Sequence, residues 1–396
     1  MGNQPSQPSE SQVEELRSRY PELIARAARA ISDADILLLC TGAGWSADSG
    51  LPVYRDVADV AAYHDRGLTY RDICQPSWVD ADPSLFYGFW GTCFNDYRDT
   101  PPHEGYSIVR RWADSLRSTR AATDLRTWQR AQAPRACMDA AGCFFCFTSN
   151  VDAHSLRVFE PTEVYECHGN LENWQCADAQ GSPLQCPTSL AGERDDAEGS
   201  EDAKGVDGTN HAGGRRATDR EGEPAAVGNM TGVPAMANMA GEANRPRRWA
   251  APPSFRFAVD AQTRLADDGA AAVAADAPAA GFGSNRPRCV HCGGCARPAV
   301  MMFMDDGYVE DEDQCERWAA WRSAVAALAP VKGWRVVVLE VGCGANVTTV
   351  RSQAESLLQQ LSADRVDATL VCERPPSCVN GPTPPLLACV NALPRV

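Results

Sequence analysis

Lysine is almost absent from this chain of 396 residues. Lys204 and Lys332 are its only two, so arginine carries nearly all the positive charge. Basic residues are also outnumbered, 37 against 52 acidic, for a formal net charge of −15. Such a surface repels phosphate backbones and anionic lipid heads, which argues against direct nucleic-acid binding and favours basic partners. No apolar run approaches the roughly 18 residues of a membrane span. The opening MGNQPSQPSESQ lacks the charged and apolar regions of a secretory signal. Between Ala191 and Arg248 there is no Leu, Ile, Phe, Tyr or Trp. That stretch buries too little apolar area to offset chain entropy, so 190–250 and a second Ala/Gly/Asp tract at 266–285 are expected to be loosely ordered insertions.

The chain as a whole nevertheless has ordinary globular composition, 44% hydrophobic and 22% charged, which excludes collagen, coiled coil and wholesale disorder. Seventeen cysteines, an odd number, cannot all pair within one chain. With no secretory signal the expectation is a reducing intracellular setting, cytoplasmic or nuclear, where clustered cysteines bind metal more often than they form disulfides. Gly2 to Ser6 fit the pattern for N-myristoylation, and one acyl chain without a basic patch predicts weak membrane anchoring at most.

Three apolar runs read as strands of a buried parallel sheet: Ile36 to Cys40, Cys143 to Phe147 and Val336 to Val341. Each closes in a turn of small or polar residues: Thr41-Gly42-Ala43-Gly44, Thr148-Ser149-Asn150 and Gly342-Cys343-Gly344. The pattern predicts a Rossmann-like doubly wound α/β sheet with its ligand site at the carboxyl ends of the strands. Val164 to Cys167 and Thr369 to Cys372 are weaker strand candidates, and Phe255 to Val259 alternates as a strand would. Leu23, Ile24, Ala27 and Ile31 recur at helical spacing after a Ser11-x-x-Glu14 capping pattern.

Two cysteine pairs, Cys176 with Cys186 and Cys289 with Cys292, supply the four thiolates of a structural zinc site. The span between the pairs far exceeds the usual spacing of roughly 15–20 residues, as an insertion within a zinc module would produce. Cys295 and His291 are competing donors. Cys143 and Cys146 lie inside an apolar strand and read as small core residues.

Thr41 to Asp56, TGAGWSADSGLPVYRD, resembles the sirtuin pattern, with Gly42, Ala43, Gly44, Ser46, Ser49, Gly50, Leu51, Pro52, Tyr54 and Arg55 in register and Val53 where the family usually carries Asp. Thr148-Ser149-Asn150-Val151-Asp152 is similar to the family's T-Q-N-[IV]-D, with Ser149 in place of Gln. Tyr165 to Gly169 matches its His-Gly element, and Cys292 to Asp305 resembles the segment that follows the zinc knuckle. The resemblance implies NAD-dependent removal of acyl groups from protein lysines, with nicotinamide and O-acyl-ADP-ribose as products. It further implies NAD and zinc as cofactors and acylated-lysine proteins, including basic peptides, as partners. His168 takes the position of the catalytic base, a task suited to a pKa near working pH. Asn150 takes a catalytic position beside it. Gly42, Ala43, Gly44, Ser46, Tyr54, Arg55, Ser149, Asn150 and Asp152 fall at cofactor positions, as do Gly342, Gly344 and Asn346. Val300, Met302 and Phe303 fall at the walls of the acyl-lysine channel. His154 reads equally as a partly exposed residue opening a helix or as part of the site.

Competing readings are protein mono-ADP-ribosyl transfer and a non-catalytic NAD-binding interaction module. A third comes from VLEVGCGANVTT, Val338 to Thr349, which looks like the first methyltransferase motif, although too little chain follows for such a domain. The expected organisation is a tail at 1–10 and a catalytic domain formed by 11–175 and 296–374. A zinc module at 176–295 and a Pro-rich tail at 375–396 complete it.

Overall fold

A computed structural model describes Ser18 and residues 21–53, 60–132, 139–177, 248–267, 281–344 and 347–372, with the backbone alone at 387–389. The proposed tail at 1–10, the capping pattern at Ser11, the bulk of both insertions, and Tyr54, Arg55, Cys186 and Asn346 lie outside these residues.

The three apolar runs and the two weaker candidates at 164–167 and 369–372 all form strands. β1 (Ile36–Thr41), β2 (Phe144–Thr148), β3 (Val164–Glu166), β7 (Arg335–Val341), β8 (Asp367–Cys372) and β9 (Leu387–Cys389) make one six-stranded sheet in the order β3-β2-β1-β7-β8-β9. Every pairing in it is parallel. In order of occurrence this is the doubly wound arrangement 3-2-1-4-5-6, whose direction reverses between β1 and β7. β9 lies within the segment expected to be a Pro-rich tail, so at least Leu387–Cys389 continue the sheet.

Both faces of the sheet are covered, which is why its central strands are apolar at every position rather than at alternate ones. Leu38, Cys40, Phe145, Phe147, Val336 and Val338 face the helices Glu312–Lys332 and Thr349–Ala363 through Trp318, Trp321, Leu357 and Leu361. Leu37, Leu39, Phe144, Cys146 and Val337 pack on the opposite face against Tyr106, Val109 and Ala113 of the helix Glu104–Arg117. Cys143 and Cys146 are buried core thiols.

A smaller lobe is built on an antiparallel sheet, β5 (Trp249–Ala250), β4 (Gly169–Cys176) and β6 (Ala296–Val300), in the order β5-β4-β6. The helix Pro83–Asp99 packs Phe86, Phe89, Trp90 and Phe94 with Trp174 of β4. Asp82 caps this helix by accepting a hydrogen bond from the Leu85 N–H, and Pro83 opens it.

Phe255 to Val259 is not a strand. Val259 makes only an isolated bridge to Ala266, and Phe255 and Phe257 are buried, completing the aromatic core with Phe282. The described ends of the tract at 266–285 likewise belong to the core: Ala266 and Phe282 are buried. The Asn285 amide joins its two sides, donating to the Ala258 and Asp267 carbonyls and accepting from the Ala258 N–H. Among the described residues no helix is long and apolar enough to cross a membrane.

Candidate active site

The reversal between β1 and β7 brings two glycine turns together. The Gly42 N–H donates to the Val341 carbonyl (3.1 Å) and the Gly44 N–H to the Gly342 carbonyl (2.9 Å). A Cβ at Gly42 would stand 2.7 Å from the Gly342 oxygen, and one at Gly44 would stand 2.7 Å from the Gly342 Cα. Gly342 itself sits at φ +66°, with its own Cβ position 2.1 Å from the Trp45 nitrogen. These glycines are therefore required by turn-to-turn contact. The methyltransferase-like segment is absorbed by the same contact, since its turn is the partner of the β1 turn.

A cavity opens at the carboxyl ends of β1, β2 and β3. It is lined by Ala43 and Ser46 after β1, by Ser149, Asn150, Val151 and Asp152 after β2, and by His168 after β3. Val300 and Met301 from the end of β6 complete the side next to the small lobe. The Ser46 hydroxyl donates to Asp152 Oδ2 (2.5 Å) and the His154 N–H to Asp152 Oδ1 (2.9 Å), so a buried carboxylate is held in one orientation. Thr148 Oγ1 accepts from the Asn150 N–H (3.0 Å), which fixes the turn carrying the Asn150 side chain. Asn150 Nδ2 is buried without a hydrogen-bond partner among the described residues. An orphaned donor on a cavity wall needs an acceptor from whatever fills the cavity.

His168 is half-buried, and its pKa lies below the ordinary value because burial disfavours the charged ring, an effect partly opposed by a backbone hydrogen bond to Ser149. The imidazole is thus neutral at pH 7. Its position depends on Gly169, at φ +72°, where a Cβ would meet the Ala299 carbonyl at 1.9 Å. The Met301 N–H in turn donates to the His168 carbonyl (2.9 Å), joining the catalytic-base candidate to the channel segment.

His154 is completely buried rather than partly exposed. It lies behind Asp152, near His103, whose pKa burial depresses to about 4 with a further contribution from His154. Glu166 is buried at the end of β3, and loss of solvation raises its pKa to about 8.

Two of the three expected channel residues take other places. Met302 is buried in the small-lobe core, and Phe303 packs edge-on against Tyr70 under the Arg71 guanidinium. Half-exposed Met301 lines the cavity instead, because the chain bends after β6 rather than continuing as a strand. Gly344 is not among the residues that line the cavity. The sequence reading missed Phe89, Trp90, Cys93 and Tyr97, which form the cavity's far wall. Their i, i+1, i+4, i+8 spacing marks one helix face, but an aromatic stripe reads first as core.

Cys176, Cys289 and Cys292 bring their sulfurs within 4.8 Å of one another, and Cys176 and Cys292 are 3.5 Å apart. Tetrahedral zinc with bonds of about 2.3 Å separates its thiolates by about 3.8 Å, so the group fits that ion. The His291 N–H points to Cys289 Sγ (3.5 Å) and the Gly294 N–H to Cys292 Sγ (3.4 Å), the arrangement that stabilises thiolates in a metal knuckle. Cys295 and His291 do not belong to this three-sulfur group.

These features define a Rossmann-like α/β protein with a strand-end cavity and a small cysteine-clustered lobe. No protein-family model matches the chain. Over 151 residues it is 26% identical to an NAD-dependent protein deacylase of Deinococcus radiodurans, a match covering 37% of this chain and 50% of the relative. The chain thus spans about half the length of the curated relative it matches. Among solved structures it is similar to a sirtuin from work on substrate affinity, at 12% identity, 87% and 86% coverage and a TM-score of 0.40. It is also similar to a Sir2 mutant solved with a p53 peptide and NAD, at 13% identity, 92% and 91% coverage and a TM-score of 0.41. At these values the fold rests on the strand order itself.

Proposed function

We propose that this chain is a sirtuin-like enzyme that removes acyl groups from protein lysines with consumption of NAD, releasing nicotinamide and O-acyl-ADP-ribose. The observation that carries the reading is the convergence of Ser46, Asn150, Asp152 and His168, from three separate strand ends, on one cavity flanked by Val300 and Met301. Similarity to a protein deacylase over half that relative's length supports it.

When bound, NAD supplies an electrophilic ribose carbon with nicotinamide as its leaving group. Asn150 fits such a ligand because its buried, unpartnered amide would donate to a ribose or carboxamide oxygen. Asp152, fixed by Ser46 and the His154 N–H, would accept from an amide N–H without reorganising. His168, neutral through burial, would accept the proton from a ribose hydroxyl. Val300 and Met301 would flank the acyl-lysine side chain. Zinc on Cys176, Cys289 and Cys292, with Cys186 as the fourth ligand, would tie β4 to the knuckle that leads into β6 and so hold the channel wall in register.

Incubation of the full chain with NAD and a panel of acyl-lysine peptides, beside His168→Ala, tests this. The expected result is equimolar nicotinamide and deacylated peptide, with a rate loss in the variant of roughly 10²-fold or more. Labelled ADP-ribose on protein without deacylated peptide would replace the reading with mono-ADP-ribosyl transfer. Silence from every peptide would leave a binding module.

A further inference from the structure

His154 adjoins Asp152 without lining the cavity, and nothing in the proposed reaction uses its ring. Its placement is built rather than incidental. Ala153, just before it, is left-handed at φ 60°, a conformation uncommon for a residue with a side chain and kept only where the surroundings demand it. That turn brings two parts of His154 to one carboxylate. The His154 N–H donates to Asp152 Oδ1 (2.9 Å), and the ring Nδ1 stands 3.9 Å from Asp152 Oδ2. Ring Nε2 is 3.3 Å from the Tyr97 carbonyl; a carbonyl only accepts, so Nε2 is the donor and the ring's rotation is fixed. Nδ1 has no hydrogen-bond partner among the described residues. In the neutral ring it is then a lone pair, which keeps the carboxylate from turning back onto the ring.

The other side-chain support of Asp152 is the Ser46 hydroxyl, donated to Oδ2 (2.5 Å). Both supports rest on one set of packed rings. Trp45, next to Ser46 in the chain, meets His103 edge-on at 4.3 Å between centroids, and Tyr106 lies 4.9 Å from Trp45 and 5.0 Å from His103. Tyr106 in turn meets the His154 ring edge-on at 6.0 Å. His103 is itself held twice: its backbone N–H donates to Ser49 Oγ (3.1 Å), and its Nδ1 accepts from the Gly105 N–H (3.0 Å). Trp45, Tyr106 and His154 are each no more than 6% exposed, so none can turn without displacing the others. Residues far apart in sequence thus converge on the back of a single carboxylate.

We propose that His154 is a positioning residue for the cofactor: its ring, locked between the Tyr97 carbonyl and the Trp45, His103 and Tyr106 rings, holds the Asp152 carboxylate toward the nicotinamide end of NAD. The identity of the ligand rests on the deacylase reading, whereas the support of Asp152 rests on the geometry alone.

Calorimetric titration of the full chain with NAD, and with ADP-ribose, which lacks the nicotinamide, separates positioning from general packing. His154→Leu should weaken NAD binding roughly tenfold, the weight of about one hydrogen bond, and leave ADP-ribose within about twofold. Added to Asp152→Asn, it should cost NAD nothing further, because the carboxylate it positions is gone. His154→Gln keeps a donor for the Tyr97 carbonyl and should lose only about threefold. Unchanged NAD affinity in His154→Leu, equal losses for both ligands, or a loss that adds to that of Asp152→Asn overturns the proposal. Should His154→Leu fail to fold, His154→Gln decides, and parity with the unaltered chain or equal losses for both ligands overturns it. If NAD does not bind the unaltered chain, the deacylase reading and this proposal fall together; NAD bound without any effect of His154 removes the positioning role alone.

Discussion

Half-buried His168 and buried Glu166 have their pKa values shifted in opposite senses. His168 has its pKa lowered by burial, so the neutral base persists below the ordinary imidazole range. The acid limb of kcat/KM should therefore fall below pH 6.5, and a limb at or above 6.5 would contradict His168 as the base. Glu166 is raised from 4.5 to about 8. Between those pH values the folded state holds a proton that the unfolded chain has released. Stability from this group is full below pH 4.5 and is lost as pH rises through about 8. Urea denaturation at several pH values should show that decline, and Glu166→Gln should flatten it; an unchanged slope in the variant would place the titration elsewhere.

At the scale of elements, the strands were legible because runs such as Ile36-Leu37-Leu38-Leu39 admit no partly solvated sheet, and their ends were marked by Gly, Ser and Asn. The channel wall was less legible. A period of two places Val300 and Met302 on one face, but the backbone leaves strand geometry after Val300 and reaches a left-handed Met304, so the alternation fails where it was needed. Gly169 is the hinge of this region. Gly169→Ala combines a positive φ with a backbone clash at 1.9 Å and should cost more than about 2 kcal/mol in urea unfolding while displacing His168. The knuckle makes a second prediction. Purified protein should carry about one zinc, Cys289→Ser should lose it, and Cys295→Ser should retain it, because only the former belongs to the three-sulfur group. Metal analysis showing the reverse would redraw the ligand set.

For the whole molecule, composition misled in one place for a physical reason. The segment between the insertions is short and flanked by Gly- and Ala-rich chain, yet Phe255, Phe257 and Phe282 fill the small-lobe core. Arg98 secures it by donating to the Pro252 and Phe255 carbonyls while paired with Glu172. A window average over 266–285 dilutes the Phe282 ring among small residues; its contact with Phe255 and Trp174 does not. The far wall of the cavity escaped for the complementary reason, since Phe89, Trp90, Cys93 and Tyr97 serve core and site at once. What ties both lobes to one chemistry is the cavity between the strand ends and β6. Its most direct test is a single incubation of the purified chain with NAD and an acyl-lysine peptide, following nicotinamide and peptide mass together. The account predicts one nicotinamide per deacylated peptide, abolished in His168→Ala; deacylated peptide formed equally without NAD, or by the variant at the native rate, would contradict it.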